Sequence, residues 1–90
     1  MNEMNYAVLM CCGNGGTITI YESGNESDAR ARYESEVAKQ GTPVDIAGWT
    51  DSDQAWRRLC HFELICVKID EYGDIIDDYT LEMSGYYWMD

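Results

Sequence analysis

Positive charge is scarce in this sequence: its 90 residues hold only six basic side chains, Arg30, Arg32, Lys39, Arg57, Arg58 and Lys68. Binding bare nucleic acid or an anionic membrane needs clustered Lys and Arg to neutralise phosphates, so the shortage argues against both. No apolar run approaches the roughly 18 residues of a membrane span, and Met1-Asn2-Glu3-Met4-Asn5 lacks the basic segment that opens a signal peptide. The expected location is the cytoplasm, or the host cytoplasm if the chain is phage-encoded. There Cys11, Cys12, Cys60 and Cys66 are expected as reduced thiols rather than a disulfide framework. Internal repeats, low-complexity tracts and linkers are missing too, so residues 1–90 read as a single domain.

The familiar chemical motifs are also missing. A zinc site would draw on Cys11, Cys12, Cys60, His61 and Cys66, but there is no C-x-x-C, and adjacent cysteines on a strand point to opposite faces. These thiols read as small buried apolar residues. Asp70-Glu71-Tyr72-Gly73-Asp74 lacks the ligand spacing of a calcium loop, and the glycines at 13, 15 and 16 lack the Lys-Ser/Thr of a phosphate loop. His61 has a neighbouring cysteine but no nucleophile turn. The expectation is a protein that is not an enzyme, with no catalytic residue, no metal ligand and no cofactor.

What the chain does contain is apolar material and acid. Hydrophobic residues make up 46% and aromatics 12%, enough to build a core against the entropy of ordering. Seventeen acidic residues bring the formal net charge to -11. Solubility is satisfied by a net charge of about 2 to 8 in magnitude, so the surplus suggests attraction to something basic.

The pattern predicts an α+β domain of order β-β-α-(β)-α-β-β, an antiparallel sheet of two hairpins with one longer and one short helix packed on one face. Tyr6 to Cys11 and Thr17 to Glu22 form the first hairpin around the glycine turn, with Ile18 and Ile20 sharing a face. Asn25 caps a helix of about 15 residues whose Ala29, Tyr33 and Val37 recur every four positions. On its other face Arg30 with Glu34 and Arg32 with Glu36 make i,i+4 pairs. Val44 to Trp49 is ambiguous between a strand fragment and an ordered connection. Thr50 and Asp53 resemble a capping box before a short helix through Ala55, Trp56, Leu59 and Cys60. Phe62 to Ile69 and Ile75 to Met83 form the second hairpin.

The acids gather toward the C-terminus. Residues 1–42 hold six acidic and three basic residues, whereas residues 43–90 hold eleven and three. Asp70, Glu71, Asp74, Asp77, Asp78 and Glu82 have only Lys68 nearby, and residues two apart on a strand lie about 6.7 Å apart, which suggests a lattice of carboxylates. Such a lattice suits nucleic-acid mimicry, though charge also guards exposed sheet edges against aggregation. The aromatic tail Tyr86, Tyr87 and Trp88 either docks on the core or meets a partner. These nine residues form the expected partner-binding site.

The expected function is that of a small acidic protein-binding inhibitor, a DNA mimic occluding the basic surface of a nucleic-acid-binding protein or complex, with no direct nucleic acid and no membrane partner. In general character the chain looks like small phage anti-defence proteins, anti-CRISPR and immunity-type proteins among them, although no motif assigns a family. The alternatives are an oligomerising structural or regulatory module, with a homodimer built on the aromatic C-terminus, and, further off, a metal-binding domain.

Overall fold

The computed structural model describes residues 3–50 and 54–89. Strand β1 (Glu3–Cys12) and β2 (Thr17–Ser23) make the first hairpin, α1 (Glu26–Ala38) follows, and a long connection leads to β3 (Leu59–Ile69). The second hairpin is completed by β4 (Ile75–Met83), and β5 (Tyr87–Trp88) is the last strand. All pairings are antiparallel, in the order β2-β1-β3-β4, with β5 on β3 beside β4. The α+β class and the two hairpins are as expected.

The first turn works because of its glycines. Cys12 N–H donates to Gly16 O at 2.7 Å, and Gly15 takes φ +97°, a conformation that side chains resist. Gly13 has another reason: a Cβ there would lie 2.1 Å from the Trp56 carbonyl oxygen. Helix α1 starts as read, with Asn25 Oδ1 accepting from Asp28 N–H at 3.2 Å. Its length is 13 residues.

Ala29 and Tyr33 of α1 pack on Val8 of β1 and on Cys60, Phe62 and Leu64 of β3, with Tyr87 of β5 closing the cluster. Since strand side chains alternate, Leu9, Cys11, Leu59, His61, Glu63 and Ile65 face the other side of the sheet. In β3 the apolar Ile65, Val67 and Ile69 alternate with Leu64 and Cys66; Cys60, Phe62, Leu64 and Cys66 are the buried set, with Leu59 buried at the strand's start.

Several details depart from the sequence reading. A bulge sets both Ile20 and Tyr21 opposite Val8, so both pack toward the core while Ile18 stays exposed. Val44 to Trp49, open in sequence between a strand fragment and a connection, is an irregular connection. The short second helix is a 3₁₀ turn, Gln54–Arg58, and Asp53 of the capping pattern lies outside the described residues. Arg30 does not make its closest ion pair with Glu34; its guanidinium reaches Glu82 on β4 at 2.7 Å, with Glu26 at 3.7 Å. Arg32 does pair with Glu36, at 2.9 Å.

Candidate functional site

The second hairpin turns at Asp70, whose carboxylate Oδ1 accepts from Tyr72 N–H and Asp74 N–H, each at 2.9 Å. Gly73 takes φ +84° in the same turn. Asp70 is thus committed to holding the tip, where it still contributes negative charge. Glu71 and Asp74 are exposed beside it.

Beyond the turn, β4 is a sheet edge, exposed at every position except Leu81. Asp77 lies opposite Lys68 and Asp78 opposite Val67, so these neighbours project from opposite faces of the sheet. A bulge brings both Leu81 and Glu82 opposite Leu64, and Glu82 is taken up by Arg30. The flat carboxylate lattice expected from residue spacing is therefore divided: a turn group, two opposed faces and one ion-paired member. Exposed apolar side chains, Ile75, Ile76, Tyr79 and Met83, stand among the acids.

The aromatic tail docks. Tyr87 is 4% exposed with its ring 6.3 Å from that of Phe62, so it belongs to the core and corrects its expected place in a partner surface. Trp88 stays 47% exposed, tilted against Trp49 at 6.0 Å with Arg58 over its ring. Tyr86 sets its ring edge-on to His61 at 5.3 Å. Tyr86 and His61 join Trp49, Trp56 and Leu59 around a cavity of about 370 Å³ at the end of the sheet opposite the acidic turn. Its aromatic walls come from three segments that have no sequence pattern in common.

Beside this cavity the sheet brings together a group that no sequence spacing marks. Cys11 and His61 are direct partners across β1 and β3, and Glu63 lies two residues along on the same face. Cys11 Sγ donates to Glu63 Oε2 at 3.2 Å, and His61 Nε2–H donates to the same oxygen at 2.9 Å. Thr80 Oγ1 donates to the other oxygen, Oε1, at 3.2 Å. Burial, then the hydrogen bond to Glu63 and its negative charge, push the Cys11 thiol up to about 11. Burial opposes ionisation of Glu63, but hydrogen bonds from His61, Cys11 and Thr80 outweigh it and hold the carboxyl below its ordinary range. Cys11 is thus a protonated thiol at neutral pH, a poor nucleophile as it stands.

No protein family model matches this chain, and no curated protein or solved structure matches it either.

Proposed function

We propose that the chain is a small acidic protein-binding inhibitor that presents the β3–β4 hairpin to a cationic surface of a nucleic-acid-handling protein and blocks it. The observation that carries this reading is the edge strand β4, on which acids and large apolar side chains are exposed side by side. Charge for solubility or edge protection would be served by acids alone. Exposed Ile75, Ile76, Tyr79 and Met83 add nothing to solubility and suit a surface that is desolvated on contact. The turn held by Asp70 keeps the tip ordered before binding, which lowers the entropy lost on association. Opposite fields would steer encounter, and salt would weaken it.

The experiment is inhibition of nucleic-acid binding by a panel of basic nucleic-acid-handling proteins at low and high salt. It compares the native chain with a triple charge reversal, Asp74→Lys, Asp77→Lys and Asp78→Lys. Inhibition should fall with salt and disappear in the variant while its melting temperature stays close to that of the parent. A tight complex indifferent to both salt and charge reversal removes the reading. The oligomerising alternative draws on the same exposed edge, but two copies of β4 would bring like charges together. Light scattering that finds a stable dimer at low salt would favour it.

A further inference from the structure

We infer that Cys11, His61 and Glu63 form a binding site for a single zinc-class ion. The inference does not rest on the hairpin reading, although Glu63 pairs with Met83 and is held by Thr80 of β4. Its basis is convergence: the thiol sulfur, an imidazole nitrogen and a carboxylate oxygen all lie within 4.8 Å of one another. They come from two neighbouring strands in the interior of the sheet, β1 and β3, whose pairing sets Cys11 opposite His61 and Glu63 two positions on. A donor set on paired strands loses little freedom when it closes on an ion.

The geometry suits a tetrahedral ion. Bond lengths of about 2.3 Å to sulfur and about 2.0 to 2.2 Å to nitrogen and oxygen place donors roughly 3.3 to 3.6 Å apart. Binding releases the Cys11 thiol proton to solvent and moves the imidazole proton from Nε2 to Nδ1; the contacts to Glu63 Oε2, 3.2 Å from sulfur and 2.9 Å from nitrogen, then open by a few tenths of an ångström, while sulfur and imidazole nitrogen, within 4.8 Å of each other, close on the ion. Thr80 holds Glu63 Oε1 and leaves Oε2 directed at the other two donors, the kind of outer partner that orients a ligating carboxylate. The Tyr86 ring packs against the imidazole in a T-shaped contact at 5.3 Å. Donor chemistry selects the ion: calcium and magnesium take oxygen, whereas mixed sulfur, nitrogen and oxygen suit zinc and its first-row neighbours. Three protein ligands also leave one coordination position for water or a small ligand. His61 lies in the wall of the aromatic cavity as well, so an ion held there sits beside a space that such a ligand can enter.

The test uses the full chain, reduced and stripped with chelator, titrated with zinc by calorimetry and with cobalt(II) by absorption. One ion per chain should bind with a dissociation constant below about 1 μM, and cobalt should give the near-ultraviolet charge-transfer band of a thiolate ligand. Cys11→Ser and His61→Ala should each weaken zinc by more than about 100-fold, beyond the 10–100-fold that losing an outer partner costs. Cys12→Ser, next in sequence but on the other face, should leave affinity unchanged. Circular dichroism checks the fold of each variant. Absence of stoichiometric zinc, or of the thiolate band, in the unmodified chain overturns the inference without any variant. So does equal loss in Cys12→Ser and Cys11→Ser.

Discussion

Strands β3 and β4 are hydrogen-bonded neighbours, yet they live in different environments. Strand β3 has β1 on one side and α1 across its face, and its alternate residues from Cys60 to Cys66 are buried. Among the described residues, strand β4 has a partner on one side only, and it is exposed almost throughout. The contrast shows that a strand's composition does not tell its role: Ile75, Ile76 and Tyr79 on the rim are as apolar as Leu64 and Cys66 in the core. What separates them is whether a second layer lies on top. Structure is stored in β3 and α1, and surface available for recognition is kept on β4, where a substitution disturbs little packing.

The sharpest way to test that division is Leu64→Ala against Met83→Ala. Leu64 is 0% exposed, so its truncation should destabilise by about 2 to 5 kcal/mol in denaturant unfolding, while Met83→Ala stays within about 0.5 kcal/mol. Equal losses would mean that β4 is as firmly packed as β3. Next in size is Gly13→Ala, which sets a methyl group against backbone of the 3₁₀ turn; a loss of about 1 to 3 kcal/mol in the same assay is expected. Asn25→Ala removes the acceptor for Asp28 N–H and should cost about 1 kcal/mol, read as a lower melting temperature.

The smallest effect concerns pH. The hydrogen bond from Arg32 to Glu36 is the main influence holding that carboxyl below its ordinary value, with Lys39 assisting and partial burial opposing. A carboxyl whose folded pKa is depressed stabilises the protein above its unfolded pKa, and that contribution fades as pH falls through the folded value. Glu36→Gln should therefore be slightly less stable than the parent at pH 7, and the gap should close below about pH 4. A gap that persists in acid would assign the effect of Glu36 to packing instead.

Helix α1 was the most legible element, because its information is local: an Asn25 cap, acids in the first turn and apolar residues every four positions. The two turns were legible for the same reason, since Gly15 and Gly73 lie where positive φ is required. The bulges were not, because an extra residue changes alternation only once a partner strand is present. The buried face of β3 was hidden because Ile65, Val67 and Ile69 alternate with the equally apolar Leu64 and Cys66. The acids of the hairpin could be named from sequence, whereas Glu82's link to Arg30 and Tyr87's burial depend on tertiary approach. Cys11, His61 and Glu63 were the least legible as a group: 49 residues separate Cys11 from His61 in sequence, and only the β1–β3 register makes them neighbours. Its one trace in the sequence is an acid two residues from a histidine inside a largely apolar strand.

That same register has a kinetic consequence. Each hairpin closes over a few residues and can form within microseconds, but joining β1 to β3 must close the 46 residues that lie between Cys12 and Leu59. Loop closure of this length has an entropic cost that is met before any central contact forms, so hairpin docking is expected to be the slow step in stopped-flow refolding. Until it occurs, the inner edges of both hairpins would stand open, and like charge on the second would oppose edge-to-edge pairing of such half-folded chains.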